Sequence, residues 1–385
     1  MYSITMRKIG STDETLIYSD NYPTEDTTIT NVTLTMEVNH AGSLSITIPP
    51  TNVGYSEITH LTTELIVYRN ENQTMKEMWR GRVIMEDKDF WNNRVLTCEG
   101  ELAYLNDVIQ NPREFKNRTL RTFIYDVLAH YDAQVETDDM KFFCGNVTVD
   151  NSTKAYRSTN YENTLTSLTD LLEVYGGHFS IRHESDGRYL DYLADYNIPE
   201  DELEIRFGSN LLDISESYDL GEFATAVIPL GAKLEESRFE RLDEYLTVSS
   251  VNHGNIRIIN VGANLLYGRK EKVLNYDDVE DASDLYNLGY EYLNSVQFDN
   301  VELEVSAVDL HFIDATVDPI NLLDIVHVIS PPHNMDKYLP VTKLEIPLNS
   351  PQDMTITING SIDGITTKMP ISKKTANLTK KATKK

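Results

Sequence analysis

Cysteine and positive charge are scarce in this 385-residue chain, and each shortage argues against one class of protein. With only Cys98 and Cys144, a chain of this length does not rely on a disulfide framework, which favours folding in a reducing cytoplasm. Lys and Arg number 34 against 61 Asp and Glu, a formal net charge of −27. Because contact with a nucleic-acid backbone needs clustered Lys and Arg, this balance argues against DNA binding. Two explanations of the negative net charge stay open. Acidic side chains can keep a large protein surface soluble, and they can line a channel through which DNA passes without being bound.

Long apolar runs are absent as well. No stretch approaches the roughly 18 consecutive apolar residues of a membrane-spanning helix, and the start, MYSITMRKIG, lacks the apolar centre of a signal peptide. The last twenty residues, TTKMPISKKTANLTKKATKK, hold seven lysines and no acid. Because so few of these residues are apolar, we expect residues 366–385 to form a disordered basic tail.

Patterns typical of metal sites are missing too. The nine histidines include no H-E-x-x-H motif. His178 and His183 flank a predicted strand at an odd spacing, which points them to opposite faces, and His327 and His333 surround a Pro-Pro turn. A structural imidazole explains each pair better than a metal ligand does.

Nucleophile patterns are equally weak. Cys98 lies in a predicted strand and Cys144 follows two phenylalanines, so both are interpreted as small buried residues whose thiol pKa nothing nearby lowers. There is no G-x-S-x-G elbow and no Gly-rich phosphate loop. Acid pairs such as Glu235-Glu236 and Asp277-Asp278 carry little information among 61 carboxylates. No catalytic, cofactor-binding or metal-binding residue is therefore assigned.

Tyrosine is the one abundant aromatic residue, with 22 copies. Tyrosines on a surface could stack on sugars, which would suit a carbohydrate-binding protein. Tyr131, Tyr175 and Tyr292, however, lie on the apolar stripes of predicted helices, so for these three we expect a place in the core.

Residues 1–103 show the pattern of short β-strands throughout. SLSITI (43–48) alternates apolar and polar residues, and LIVY (65–68) is a short apolar run bounded by polar ones. Asn92 and Asn93 separate two strand-like segments and suit a tight hairpin turn, since asparagine tolerates positive φ. These features predict a small antiparallel barrel or sandwich.

From residue 112 the apolar period becomes helical. The segment LRTFIYDVLAHY places apolar residues at i, i+3, i+4, i+7, i+8 and i+11, which predicts a helix over 118–131. A second helix is predicted over 160–175, with Thr159 and Glu162 at the spacing of a capping box and two glycines after its end.

The rest of the chain returns mostly to strands. HFSIRHESDGRYLDYL (178–193) predicts a hairpin that turns at Asp186-Gly187. Strand patterns follow over 206–235 and again over 301–365, where VELEVSAVDL alternates cleanly. The more polar stretch between them contains one predicted helix, over 282–297.

Four segments resemble one protein family in the family's own order. They are NHAGSLSITIPPTNVGYSEI (39–58), RGRV with TCEGELAYLND (80–107), NLLDISESYDLGEFATAVIPLGA (210–232) and the segment from DPINLLDIVHVI to ITING (318–360). They resemble the tail-tip hub proteins of tailed bacteriophages that infect Gram-positive bacteria, also called prophage tail endopeptidases or tail-associated lysins. In longer relatives the lytic activity is thought to lie in a C-terminal extension, and we expect this chain to lack that extension.

The resemblance implies a mainly β fold with α+β parts. Two antiparallel β-barrel domains, the second discontinuous, are expected together with an α+β module and an insertion. No residue-level repeat is visible between the two halves, so the duplication is implied by the resemblance alone. The expected boundaries are 1–103 for the first barrel, 104–205 for the α+β module, 206–235 plus 301–365 for the second barrel, and 236–300 for an insertion that packs with the module.

The resemblance also implies a role. The chain would be a structural hub or baseplate protein at the virion tail tip, assembled in the host cytoplasm as a homotrimeric ring that leaves a channel for DNA. Expected partners are the distal tail ring protein, the tape-measure protein and a receptor-binding fibre or tip protein, with no cofactor. Two other functions stay open: a peptidoglycan endopeptidase, which would need a metal or thiol site, and an adhesin for wall carbohydrate, which would need an exposed aromatic groove.

Overall fold

The computed structural model describes most of the chain in ten segments. They are residues 2–20, 24–71, 74–149, 155–199, 203–218, 223–234, 242–277, 279–295, 301–312 and 317–359. The expected basic tail at 366–385 lies outside these segments. Within them the fold is mainly β, with one large, mostly antiparallel sheet and a few helices, which confirms the predicted fold class.

The first hundred residues form seven strands, here called the first lobe. The strands are β1 (Tyr2–Lys8), β2 (Thr15–Ser19), β3 (Thr30–Glu37), β4 (Ser43–Ile48), β5 (Thr63–Glu71), β6 (Thr74–Lys88) and β7 (Arg94–Gly100). Their order across the sheet is β2-β1-β5-β6-β7-β4-β3, and all neighbours are antiparallel. Leu44, Ile46 and Ile48 are fully buried, as their alternation predicts. Asn92 has a φ of +65°, which confirms the hairpin turn.

The α+β module follows. Its elements are β8 (Arg113–Arg118), α1 (Leu120–Asp132), β9 (Phe143–Val147), β10 (Ala155–Thr159), α2 (Thr164–Tyr175), β11 (His178–Glu184) and β12 (Gly187–Leu193). The predicted apolar stripe of α1 is buried along its whole length, and the β11–β12 hairpin turns where expected. The start of α2 is corrected: the Asn163 side chain accepts a hydrogen bond from the Thr166 N–H, and Thr159 belongs to β10.

The remaining strands and helices complete a second lobe with an insertion. They are β13 (Leu203–Arg206), β14 (Leu211–Tyr218), β15 (Ala226–Lys233), β16 (Tyr245–Thr247), β17 (Ile258–Ile259), α3 (Val261–Tyr267), β18 (Glu271–Asn275), α4 (Ala282–Ser295), β19 (Val301–Ala307), β20 (Ile325–Ser330), β21 (Met335–Pro347) and β22 (Thr355–Asn359). The second lobe consists of β13, β14 and β19 to β22, in the order β13-β20-β21-β22-β19-β14. None of the helices in the described segments has both the length and the apolar character of a membrane span.

The boundary of the insertion differs from the prediction. Strand β15, which the range 206–235 assigned to the second barrel, instead pairs with β16, β17 and β18. Its apolar side chains serve the core of the insertion, where Val227 packs with Val248 and Leu285. This core is a hydrophobic cluster separate from that of the α+β module, and the packing of the insertion against the module stays a prediction.

The two lobes are joined rather than separate. Residues 343–347 of β21 pair antiparallel with residues 33–37 of β3, which makes the two lobes one continuous sheet. A single buried hydrophobic cluster runs through both, from Ile4 and Val67 in the first lobe to Val341 and Ile356 in the second. A subunit therefore carries its two strand groups as one body.

The lobes repeat the same strand order. Strands β1, β5, β6, β7, β4 and β3 of the first lobe correspond in sequence to β13, β20, β21, β22, β19 and β14, while β2 has no counterpart. The repeat extends to detail, because a register shift falls between Val83 and Met85 in one lobe and between Val341 and Lys343 in the other. One pairing differs: β1 and β5 are antiparallel, whereas β13 and β20 are parallel.

Candidate functional site

A cleft of about 470 Å³ lies between the first lobe and the α+β module. Five segments line it: the turn after β3, the middle of β6, the start of the 3-10 helix Glu101–Asn106, strand β11, and Leu322 with Leu323 before β20. Charged and ring side chains on these elements include Glu77, Arg80, Glu101 and His183. This is the place where titratable groups from distant parts of the chain meet.

Glu64 is the most deeply buried member of the charge cluster beside the cleft. Its side chain has no solvent exposure, and its Oε2 accepts hydrogen bonds from Arg7 at 2.8 Å. On the other side, Oε1 lies 3.4 Å from an Arg188 nitrogen and accepts from the Tyr104 hydroxyl at 3.3 Å. Arg7 is on β1 and Arg188 is on β12, so this one carboxylate ties the module to the first lobe.

Glu101 is a second buried carboxylate paired with Arg188, and it lines the cleft itself. It is 5% exposed, and Arg188 pairs with it at 2.5 Å. His183 reaches it at 3.0 Å through Nε2, and its Nδ1 lies 3.4 Å from Glu77. Burial by itself would raise the pKa of Glu101, but the positive charge of Arg188 and the contact with His183 hold that pKa below its ordinary value.

Ion pairs hold the acidic side chains of the cluster in place. Each of Glu64, Glu77 and Glu101 has an arginine at ion-pair distance. Across the ten described segments, no group of three or more His, Cys, Asp or Glu side chains is arranged to hold a metal. Buried ion pairs of this kind fix the relative position of the elements that carry them, because a charge left without its partner in such a place is strongly unfavourable.

The histidines singled out in the sequence do not meet. His178 is buried, stacks on Tyr196 at 5.8 Å and has a pKa lowered by burial, whereas His183 belongs to the charge cluster. His327 lies 2.6 Å from Asp336, and His333 lies 2.6 Å from the Ser330 hydroxyl. Each imidazole thus has a local structural partner.

Of the two cysteines, Cys98 is buried as expected, whereas Cys144 is only partly buried. Cys98 is fully buried in the first lobe, and burial raises its thiol pKa far above the ordinary value. Burial also raises the pKa of Cys144, whose sulfur lies 3.8 Å from the Arg121 carbonyl oxygen. A raised pKa suppresses the thiolate that a nucleophile needs. Of the acid pairs, Glu235-Glu236 and Asp278 lie outside the described segments.

The tyrosines that were expected in cores lie there. Tyr131 is fully buried, and Tyr175 packs against the module core and accepts a hydrogen bond from Arg157 at 2.8 Å. Tyr292 packs against the core of the insertion. None of the three offers a surface for a sugar ring.

Sequence reasoning missed both the charge cluster and an exposed aromatic pair. Phe90 and Trp91 at the tip of the β6–β7 hairpin are 90% and 75% exposed, with rings 5.1 Å apart and perpendicular at 87°. Asp89 fixes this turn, since its carboxylate accepts from the Trp91 N–H at 2.9 Å and from Asn93. Two aromatic residues at a polar turn were the available signal, because such a turn projects from its sheet.

Comparison with known proteins agrees with the fold. The profile of the family described as "Prophage endopeptidase tail" matches residues 199–369. No curated protein matches the chain in sequence. Among solved structures, the prophage tail protein gp18 from Listeria monocytogenes EGD-e is similar at a TM-score of 0.57 and 12% identity, covering 95% of this chain and 96% of that one.

Two further structures are similar over nearly their whole length. The 43 kDa tail protein of prophage MuSo2 from Shewanella oneidensis has a TM-score of 0.57 and 10% identity, covering 92% of this chain and 98% of its own. The tail protein from Neisseria meningitidis MC58 has a TM-score of 0.60 and 13% identity, covering 94% and 97%. At these identities the likeness concerns the fold, and together with the family match it confirms the resemblance that the sequence indicated.

Proposed function

We propose that this chain, whose residues 199–369 match a prophage tail family and whose fold is similar to that of phage tail proteins, is a structural hub at the distal tip of a phage or prophage tail. Three copies would form a ring around the tail axis and leave a channel for DNA. The ring would join the tail tube above to a receptor-binding or fibre apparatus below.

The repeated strand order of the two lobes is the observation that carries this proposal. Two similar lobes in one chain, joined by the pairing of β21 with β3, allow three chains to present six similar units. A ring of six similar units in three chains suits a sixfold partner on one side and a threefold partner on the other. The acidic composition, −27 in total, is compatible with a channel wall that repels the DNA backbone.

The partners follow from this position. We propose contacts with the distal tail ring protein, the tape-measure protein and a fibre or tip protein, after assembly in the bacterial cytoplasm. The charge cluster of Glu64 and Glu101 would keep the α+β module fixed to the first lobe within each subunit, so that the ring behaves as three rigid pieces.

An endopeptidase function has no observation in its favour. The cysteine thiols have raised pKa values, and the histidines are held by separate local partners. Cell walls incubated with the purified protein, with and without added zinc, should release no peptide fragments. Release that persists after repurification, and scales with the amount of this protein, would show a site that was overlooked.

The exposed aromatic pair gives little support to an adhesin function. Phe90 and Trp91 stand perpendicular on a convex hairpin tip, whereas a sugar ring stacks on a flat face or in a groove.

Electron microscopy of purified tails tests the hub. Three copies of this chain around the axis at the distal tip are expected. A tip with one copy or six copies, or a location elsewhere in the particle, would contradict the proposal.

A further inference from the structure

Half of one edge of β6 is bare, and its counterpart in the second lobe is covered. Strand β21 pairs along this edge with β20 up to Pro340 and then, from Lys343, with β3. Strand β6 pairs along the same edge with β5 up to Arg82, and over Ile84–Lys88 no strand follows within the described residues. The first lobe therefore keeps open the position that β3 fills in the second.

The backbone groups of this bare edge are oriented outward. The Asp89 N–H donates to the Asn93 carbonyl at 3.1 Å, which sets the phase of the β6–β7 ladder. Because hydrogen-bonded and non-hydrogen-bonded pairs alternate in an antiparallel ladder, Asp87 bonds to β7 while the N–H and C=O groups of Glu86 and Lys88 point away from it. For these two residues, no backbone hydrogen bond on the outer side is found in the part of the chain that the structure describes.

Strand β14, at one end of the strand order, has the matching bare edge. It is the last strand of the strand order, and among the described residues β19 is its one strand partner, apart from an isolated bridge between Leu211 and Phe207. It is also the counterpart of β3, the strand that fills the covered position on β21. Within the described segments, the subunit thus has an unfilled position on β6 and a terminal strand of the kind that fills it.

Exposed apolar side chains surround the unfilled position. Ile84 and Met85 on the bare half of β6 are 38% and 57% exposed. Counted from the shared register shift, Phe90 corresponds to Leu348. Leu348 is fully buried, and its N–H donates to Val32 of β3 at 2.9 Å, whereas Phe90 is 90% exposed. The second lobe shows what covers such a residue: a strand of the β3 kind.

We propose that β14 of one subunit adds to the bare half of β6 in the next subunit, repeating between chains the contact that β3 makes with β21 within a chain. The occupant is a second copy of this chain. The register follows from matching the strand pairs of the first lobe, from β6 to β3, with those of the second lobe, from β21 to β14. It places Glu86 opposite the neighbour's Tyr218, Asp87 opposite Ser217 and Lys88 opposite Glu216.

This contact has the asymmetry that a ring needs. It joins two different surfaces, β14 and β6, so each subunit gives one and accepts one, and a chain of such contacts either closes into a ring or runs on as a filament. Main-chain pairing also removes two exposed strand edges, which are otherwise sites of uncontrolled association. The inference rests on the proposed ring and names the surface through which it closes.

Paired cysteines in assembled tails test the register. Tails are purified from cells that express this protein with both Asp87→Cys and Ser217→Cys, and the purified tails are mildly oxidised. These positions correspond to Glu345 and Thr35, which lie directly opposite one another within a chain, so Glu345→Cys with Thr35→Cys is the matched control. Residues opposite one another in a non-hydrogen-bonded pair lie close enough for a disulfide.

The expected product of the double variant is a covalent trimer on a non-reducing gel. Each single variant should give only monomers. A mixture of the two single variants should give dimers and nothing larger, because each such chain offers one thiol to one neighbour. The control pair should close inside the monomer.

The outcomes separate this proposal from the hub. Tails that hold three copies and form the control disulfide, but no link from residue 87 to residue 217, would overturn the β14–β6 contact and leave the hub standing. Tails with a copy number other than three would overturn the hub itself.

A photoreactive phenylalanine at position 90 gives a second measurement, should the cysteines prevent assembly. It is expected to label residues 212–216 of a neighbouring chain. Labelling of any other segment would contradict the register.

Discussion

At the scale of single residues, Glu64 shows how the chain uses buried charge. Its carboxylate has no solvent exposure and is held by Arg7, Arg188 and the Tyr104 hydroxyl. Taking three charged groups out of water is unfavourable, and their attraction returns stability only while the set is complete. Such a cluster therefore makes the attachment of the α+β module specific, and it should be sensitive to the loss of any one member.

Replacement of Glu64 by Gln should lower the free energy of unfolding by about 3–5 kcal/mol, because Arg7 and Arg188 lose a buried counter-charge. Chemical denaturation followed by circular dichroism measures this. The control is Glu114→Gln, since Glu114 pairs with Lys116 at 3.5 Å on an exposed surface. That exposed pair should contribute less than about 1 kcal/mol. Equal effects of the two substitutions would show that the Glu64 cluster does not hold the module.

The lowered pKa of Glu101 predicts that the attachment of the α+β module to the first lobe weakens in acid. Its pKa is lowered in the folded protein, so the stability it contributes is fully present above the ordinary glutamate pKa of about 4.3 and is lost as the pH falls through the folded value. Unfolding measured from pH 6 down to pH 3 should show stability falling below about pH 4. In Glu101→Gln the protein starts less stable, and this part of the pH dependence should be missing. An unchanged slope would assign the acid sensitivity to other carboxylates.

Residues on helix stripes could be predicted from sequence, whereas the charge cluster could not. The stripe of α1 follows from spacing within twelve residues, and every predicted position is buried. Glu64 and Arg188 are 124 positions apart, and their contact depends on how β5 and β12 meet in space. Nothing in the neighbourhood of either residue along the chain distinguishes it from an exposed charge.

At the scale of elements, the end of β7 depends on a close approach of backbones. A Cβ built on Gly100 would lie 1.8 Å from the Ala41 carbonyl oxygen and 2.8 Å from Nε1 of Trp79. Trp79 donates to the same Ala41 oxygen at 3.2 Å, so three segments of the first lobe meet at this glycine.

Gly100→Ala should therefore destabilise the protein by about 1–3 kcal/mol or more, because the β3–β4 turn must move away. Thermal unfolding measures the shift. Gly262→Ala is the matched control: it lies in α3, its added Cβ would meet nothing closer than 3.6 Å, and better helix propensity should leave stability unchanged or raised by up to about 1 kcal/mol. A harmless Gly100→Ala would mean that the turn yields easily.

The elements themselves were largely predictable, but their repetition was not. Hairpins at Asn92 and at Asp186-Gly187 follow from turn chemistry, and three of the four α-helices in the described segments lie where the apolar period predicts them. The correspondence of the lobes lies in strand order and register. At corresponding positions of β6 and β21, for example, Val83 and Val341 are the same residue type, whereas Met85 corresponds to Lys343. Because strand pairing tolerates many residues at each position, a duplicated topology leaves few identical letters.

A pair of corresponding residues in the two lobes makes this repetition visible. Leu61 and Leu323 both have positive φ, +59° and +71°. The N–H of Leu61 donates to Val83 at 3.0 Å, and that of Leu323 donates to Val341 at 2.8 Å. A leucine rarely adopts this conformation, so its occurrence at the same place in both lobes reflects the demand of the fold rather than local preference.

At the scale of the whole molecule, Phe90 and Leu348 should differ in what they stabilise. Phe90→Ala should leave the stability of the isolated subunit unchanged within about 0.5 kcal/mol, since the side chain is 90% exposed, but it should weaken ring formation. Leu348→Ala should destabilise the subunit by about 2–5 kcal/mol, because that side chain is fully buried. Denaturation and the fraction of assembled tails measure the two effects. Phe90→Ala tails that assemble normally would argue against a contact at this hairpin.

Strand β3 meets its partner late in the life of the chain. Glu37 pairs with Lys343, more than 300 residues further along, so at about 5–20 residues per second the edge of β3 stays open for roughly 15–60 s after its synthesis. During that interval every nascent chain carries an unpartnered strand that neighbouring chains on the same messenger can capture. The open edge of β3 thus exposes unfinished chains to association, and slower elongation, which lengthens this interval, should lower the fraction of the protein recovered in soluble form.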